Sequence, residues 1–217
     1  MKYRAVFSNL KGTVDTEIFD KLSFYPAIIY GVTIETDGFE VLTIDNPEQY
    51  SENQLALFEY DIEYPYKDKE KKLLVLKNYQ LETFIPIRVL ENKSGKRITT
   101  EIQITMSNNG GKRVKRVCSL LGKSSDNYDM EVAFGELQKQ LAECYCIEIC
   151  SNCKNSWWSI YGGSEFYNHL CFKIEAKAFQ AIANKDKISV ALFMKYNNDQ
   201  NWRNVQLTDY CDKFEPR

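Results

Sequence analysis

The stretch that decides the fold is FIPIRVLENKSGKRITTEIQITM, residues 84–106. Two β-rich runs, 84–90 and 98–106, flank the turn-prone segment 92–96. In the second run the apolar residues Ile98, Ile102 and Ile104 share a parity with Thr100, which is the spacing of one buried face of a sheet. The stretch therefore predicts an antiparallel hairpin with a buried face.

The residues before this hairpin have the same character. Runs 25–34 and 39–44 flank Asp37-Gly38, a dipeptide typical of tight hairpin turns because both positions tolerate positive φ. The charged run 64–72 is interpreted as a solvated loop leading into the apolar run 73–76. An excess of aromatic residues, with 14 Tyr and 12 Phe, also favours strands. Residues 1–108 are predicted to form a β-rich N-terminal domain.

A change of pattern follows residues 107–111, which are small and turn-prone and mark a predicted boundary. Residues 112–217 are predicted to hold one main helix and further strands, among them 188–194 and 202–207. Asp126 is predicted to cap the helix, whose apolar residues are Met130, Phe134, Leu137 and Leu141. The expected fold class is α+β and predominantly β, and the two regions are left free to pack as one unit.

Composition limits the partners of the 217-residue chain. Its net charge of −2 argues against a general nucleic-acid binder, which needs a positive field. The basic run 112–116 is interpreted as the exposed side of a strand. No apolar run approaches the roughly 20 residues of a membrane helix, and the first residues lack the apolar core of a signal peptide. We expect a cytoplasmic protein without a membrane partner.

The cysteines carry the most specific signal. Cys150 and Cys153 have the two-residue spacer that lets two sulfurs of one turn bind one ion, and Cys171 and Cys211 supply a distant second pair. In a reducing compartment this pattern favours metal binding over disulfides. Four thiolates predict a structural Zn²⁺ site. An iron–sulfur cluster, redox thiols and a set of buried cysteines without metal stay open as alternatives.

Other residues compete with this ligand set. Cys144 and Cys146 are either rival ligands or buried thiols, with burial favoured. Cys118 is interpreted as a small buried hydrophobic residue. His169, the single histidine, is able to replace a thiolate, although a lone surface or core histidine is more common.

The segment from Phe134 to Arg217 resembles a bacterial family of domains of unknown function. The likeness rests on four motifs in this chain: Cys150-Ser151-Asn152-Cys153-Lys154, Ser159-Ile160-Tyr161-Gly162-Gly163, Leu170-Cys171-Phe172-Lys173 and Tyr210-Cys211-Asp212-Lys213-Phe214-Glu215-Pro216-Arg217. The resemblance implies a β-rich part and a helix before a four-cysteine tail. It implies no activity.

The expected function is that of a non-enzymatic protein-interaction module with structural zinc, such as an immunity or inhibitor protein. Acidic residues, among them Asp61, Glu63, Glu143 and Glu148, are interpreted as surface charges because their spacing identifies no acid–base pair. A thiol-based redox or metal sensor is the alternative. A second alternative is an enzyme that uses the loop at Trp157-Trp158 as a substrate platform. The oligomeric state is left open.

Overall fold

The computed structural model describes residues 2–20, 25–36, 39–64, 70–111, 113–158, 169–171, 203–205 and 214–216. Several predicted features lie outside these residues: the Asp37-Gly38 turn, the strand at 188–194 and Cys211. The described residues are mostly antiparallel β-sheet with one main helix, so the α+β, predominantly β, class is confirmed. The metal-stapled C-terminal part stays a prediction.

The described elements are mostly strands, with two helices and two 3-10 turns among them. The helices are α1 (Glu52–Leu55) and α2 (Met130–Leu141), and 3-10 turns span Pro47–Gln49 and Cys150–Asn152. The strands are β1 (Lys2–Asn9), β2 (Gly12–Phe19), β3 (Ala27–Ile29), β4 (Val32–Thr36), β5 (Leu42–Asp45), β6 (Glu59–Glu63), β7 (Leu73–Lys77), β8 (Tyr79–Glu91), β9 (Arg97–Asn108), β10 (Lys115–Leu120), β11 (Lys123–Asn127), β12 (Tyr145–Ile147), β13 (Ser156–Trp158), β14 (His169–Cys171) and β15 (Arg203–Val205).

Two sheets contain these strands. The larger has the order β11-β10-β9-β8-β1-β2-β3-β4-β5-β7-β6, and β12 pairs with β8 off this path. The smaller has the order β13-β14-β15 and is antiparallel. The predicted hairpin is present as β8 and β9, and β15 accounts for part of the strand predicted at 202–207.

The chain forms two compact units whose bounds differ from the predicted division at 107–111. Residues 1–85 and 101–137 form the first unit, and residues 86–100 and 138–217 form the second. Residues 115–119 belong to the first unit because β10 pairs with β9 from Lys115↔Ser107 to Ser119↔Gln103. The β8–β9 turn belongs to the second because β12 pairs with the end of β8.

Strand β8 buries every second side chain along its whole length. These side chains are Tyr79, Leu81, Thr83, Ile85, Ile87 and Val89, each at most 3% exposed. Pro86 faces outward and lacks a backbone N–H. It lies between the residues that pair with β1, which end at Phe84, and those that pair with β12, which begin at Val89. The missing N–H of Pro86 therefore costs β8 no hydrogen bond to β1 or to β12.

The predicted strand at 25–34 is wrong as a single run, because it contains a hairpin. Ile29 of β3 pairs with Val32 of β4, and Tyr30 and Gly31 form the two-residue turn with φ of 53° and 77°. Positive φ at both central residues is the type I′ geometry that matches the twist of a hairpin. A tyrosine at the first position hides this turn in the sequence, since Asn, Asp or Gly usually occupies it.

Helix α2 confirms the apolar spacing and corrects the cap. Its four predicted apolar residues are buried at 4% exposure or less: Met130, Phe134, Leu137 and Leu141. Asp126 is not the cap, because it lies in β11 and its carboxylate pairs with Lys115 at 2.6 Å. Asp129 precedes the helix instead, and its Oδ1 accepts the backbone N–H of Val132 at 3.1 Å.

Replacing the observed cap, Asp129, should lower the free energy of unfolding more than replacing the predicted cap, Asp126. We expect Asp129→Ala to lower the free energy of unfolding by about 1 kcal/mol, the usual cost of losing an N-cap acceptor. Asp126→Ala removes only an exposed ion pair and should change it by less than about 0.5 kcal/mol. Urea unfolding followed by circular dichroism measures both variants. Equal effects would contradict the cap assignment.

Candidate metal centre

The centre is built on the 3-10 turn Cys150–Asn152, directly after β12. The backbone N–H of Asn152 donates to the Ile149 oxygen at 3.0 Å, and that of Cys153 donates to the Cys150 oxygen at 3.1 Å. Asn152 suits such a turn because its short polar side chain competes with regular structure for backbone partners. The turn reverses the chain between Cys150 and Cys153.

A glutamine on helix α2 anchors this turn. Gln138 Oε1 accepts the backbone N–H of Ile147 at 2.7 Å and Nδ2–H of Asn152 at 3.0 Å. Its Nε2 donates to the oxygen of Tyr145 at 3.1 Å, and Asn152 Nδ2 also donates to the Ile147 oxygen at 3.1 Å. One side chain therefore connects the helix, β12 and the cysteine turn.

Two polar residues after the turn are buried and support it. The Ser156 hydroxyl donates to the carbonyl oxygens of Cys150 and Cys153, the second at 3.2 Å. The backbone N–H of Asn155 donates to Cys153 Sγ at 3.4 Å. A hydrogen bond to sulfur favours the thiolate over the thiol and orients it, which is the state that binds a metal.

The structure brings two predicted ligands, Cys150 and Cys171, together, and a third, Cys153, ends the turn that begins at Cys150. Cys150, Cys153 and Cys171 are each about 5% exposed, and Cys171 contacts Cys150. Cys171 lies opposite Ser156 because β13 and β14 pair in that register. Cys153 forms an isolated bridge with Pro216. The fourth predicted ligand, Cys211, lies outside the described residues.

The segment around Pro216 is tied to the turn by further contacts. The backbone N–H of Lys154 donates to the Glu215 oxygen at 2.9 Å, and Lys154 Nζ pairs with Glu215 Oε2 at 2.5 Å. Hydrogen bonds from Lys154 and then from Asn155 lower the pKa of the Glu215 carboxyl. The carboxylate thus keeps its charge at neutral pH and holds the tail against the residues that follow Cys153.

Within the described ranges, no three His, Cys, Asp or Glu side chains form a group that could hold a metal ion. The predicted tetrahedral set needs Cys211, which these ranges do not include. Zinc therefore stays a prediction that the described residues neither complete nor exclude. The backbone of His169 lies in β14 and pairs with Trp158 and Val205.

The remaining cysteines divide by exposure. Burial raises the pKa of the Cys118 thiol to about 12, and Cys118 is fully buried as predicted. Cys144 is exposed, so the interpretation of Cys144 and Cys146 as two buried thiols is wrong for the first. Cys146 is half-buried, and burial followed by the Glu148 charge raises its pKa. A raised thiol pKa disfavours the thiolate needed for metal binding and for nucleophilic attack.

The sequence interpretation missed a buried carboxylate beside the turn. Glu148 is 0% exposed, so its interpretation as a surface charge is wrong. Its Oε2 accepts from Nε–H of Arg88, and its Oε1 accepts from Nε–H of Arg97 at 2.8 Å. The position between the apolar residues Ile147 and Ile149 is the signal that could have revealed it, since a charge inside a buried run needs a partner.

The basic run is not an exposed patch either. Arg116 is 5% exposed and donates to the carbonyl oxygens of Phe39, at 2.9 Å, and Tyr128. Lys115 is exposed and pairs with Asp126, and Val114 is buried. The described part of the run is thus mixed, and a continuous phosphate-binding surface does not form there. Trp157 and Trp158 belong to β13.

Comparison of the chain with known protein families, curated proteins and solved structures found no match. The predicted resemblance to a bacterial family therefore has no independent support. Among the described residues, no helix has the length and apolar character needed to cross a bilayer.

Neutralising Glu148 should destabilise the second unit. We expect Glu148→Gln to lower the free energy of unfolding by roughly 3 kcal/mol, because it leaves the largely buried Arg88 without its carboxylate. Glu143→Gln is the matched control at an exposed position and should stay within about 0.5 kcal/mol of wild type. Urea unfolding measures both. If Glu148→Gln left the free energy of unfolding unchanged, the structural role of the Arg88–Glu148 ion pair would be contradicted.

Proposed function

We propose that this chain is a non-enzymatic, cytoplasmic protein-binding module whose second unit is held together by a structural Zn²⁺ ion on Cys150, Cys153, Cys171 and Cys211. The observation that carries the proposal is the contact of the buried Cys171 with the buried Cys150, on the hydrogen-bonded turn that also leads to the buried Cys153. Buried, clustered thiols of a protein in a reducing compartment are typical of structural metal sites.

The supporting contacts match what a thiolate site requires. The N–H bond from Asn155 to Cys153 Sγ favours an anionic sulfur. Gln138 and Ser156 hold the backbone on both sides of the turn, so little conformational entropy is lost when a metal binds.

Covalent geometry supports Cys211 as the fourth ligand. Pro216 pairs with Cys153, and Cys211 precedes Pro216 by five residues. Five residues of extended chain span at most about 18 Å. The covalent chain therefore allows Cys211 to reach the turn, whereas Cys144 is exposed and Cys146 has a raised pKa.

A four-thiolate zinc has no open coordination position, so it favours an architectural role over catalysis. We propose that the chain binds another protein and, more specifically, that it is an immunity or inhibitor protein. In that case a neighbouring gene encodes a toxic protein. Co-expression should relieve that toxicity, and the two proteins should co-elute as a complex in size-exclusion chromatography.

Metal analysis of the untagged full chain tests the zinc proposal. We expect about one zinc ion per chain by elemental mass spectrometry, and its loss in Cys150→Ser, Cys171→Ser and Cys211→Ser. Cys144→Ser is the matched control and should retain zinc, since that thiol is exposed and outside the proposed set. Iron with visible absorbance, or no metal in wild type, would overturn the proposal.

Mild peroxide separates a structural site from a thiol sensor. Sulfurs that are about 5% exposed should resist oxidation, so we expect zinc to remain bound after a treatment that oxidises Cys144. A chelating dye measures released zinc, and mass spectrometry measures oxidation at Cys144. Rapid release of zinc at that dose would favour the redox-sensor alternative.

A further inference from the structure

Strand β6 lies at the end of the larger sheet within the first unit. It pairs with β7 from Glu59↔Lys77 to Glu63↔Leu73, and no other described strand adjoins it. The outer side of such a strand presents backbone N–H and C=O groups that another extended chain can pair with.

One face of β6 is acidic. Glu59, Asp61 and Glu63 alternate along it and are exposed, as strand periodicity requires for residues two apart. On the inner side Lys77 pairs with Asp61 at 2.8 Å, and Asn78 contacts Glu59. Glu63 lies opposite the apolar Leu73, where β7 offers no cation.

The other face of β6 is apolar and incompletely covered. Ile62 lies opposite Leu74, which is fully buried, and Tyr60 lies opposite Leu76, which is 1% exposed. Ile62 is nevertheless 48% exposed, and Tyr64, immediately after the strand, is 60% exposed. The buried side of the sheet therefore continues onto β6, where its apolar side chains remain in water.

We propose that β6 binds an extended segment of another protein in which Lys or Arg alternates with apolar residues. Backbone pairing would add this segment as a strand beside β6. Its cations would face Asp61 and Glu63, and its apolar residues would cover Ile62 and Tyr64. This inference deepens the proposed protein-binding function, because it names the binding edge and the chemistry of the partner.

Charge argues against a second copy of the chain as the occupant. Two β6 strands paired with their apolar faces on the same side would bring Glu59, Asp61 and Glu63 against the same acidic set. Like charges directly opposite each other in a sheet are destabilising. A basic, alternating segment gains attraction from the same acidic row.

The test uses the full chain and a fluorescently labelled peptide of alternating lysine and valine, measured by anisotropy. We expect saturable binding that weakens at high salt. An alternating glutamate–valine peptide should not bind, and an N-methylated lysine–valine peptide should bind far less because it keeps the charges but loses the backbone donors.

Charge reversal at the edge locates the site. Glu63→Lys should weaken binding of the lysine–valine peptide roughly tenfold and improve binding of the glutamate–valine peptide. Asp15→Lys makes the same change in net charge on the exposed face of β2 and should leave both affinities unchanged. Circular dichroism confirms that both variants are folded.

Three results would overturn the inference: no binding of the lysine–valine peptide, equal binding of both peptides, or equal effects of Glu63→Lys and Asp15→Lys. A fourth contradicting result would be a dimer, seen by sedimentation, that Glu63→Lys dissociates. In that case β6 would bind a second copy of the chain. Any of these with zinc content intact contradicts only the binding edge. Loss of zinc without loss of peptide binding contradicts only the metal centre.

Discussion

The structure depends on the strict alternation of buried and outward side chains along β8. A shift of one residue in this thirteen-residue strand would turn every side chain of its buried face outward, so its pairing is restricted to registers of one parity. β1 pairs with its first residues and β12 with its last ones. The alternation fixes which face of β8 is buried, and Pro86 lies between the residues that pair with β1 and those that pair with β12.

The same strand also positions the cysteine turn, because β12, which precedes the turn, pairs with the end of β8. Tyr145–Ile147 pairs with Glu91, Leu90 and Val89, and the next residue, Glu148, donates its N–H to the Arg88 oxygen at 2.9 Å. The Glu148 carboxylate then contacts the Arg88 side chain, so backbone and side chain make the same link. Cys150 follows two residues later. The cysteine turn is therefore positioned by contacts outside its own loop, because a buried ion pair and a strand pairing precede it.

The sequence was most informative where a periodic pattern extends over many residues. The hairpin at 84–106 and the buried face of α2 were predictable because burial repeats every two residues in one and every three or four in the other. Single-residue features were not. Tyr30 in a type I′ turn and Asp129 rather than Asp126 at the helix start are local choices that the residue types do not reveal. The inward direction of Arg116 and Glu148 depends on neighbours far away in the chain. Cys150, Cys153 and Cys171 are buried and Cys171 contacts Cys150, while metal binding by the four predicted cysteines stays a prediction. The spacing could not indicate the Gln138 and Ser156 contacts that hold the turn.

The described residues of β13, β14 and β15 pair segments of the second unit that are far apart in the sequence. Their pairing positions Cys171 opposite Ser156, whose hydroxyl already holds the carbonyl oxygens of the turn. Ordering chain segments so distant in sequence costs conformational entropy. An ion that joins Cys150, Cys153, Cys171 and Cys211 would close the two long intervening segments at one point. Metal binding would then contribute directly to folding of the second unit, as it does in small zinc domains.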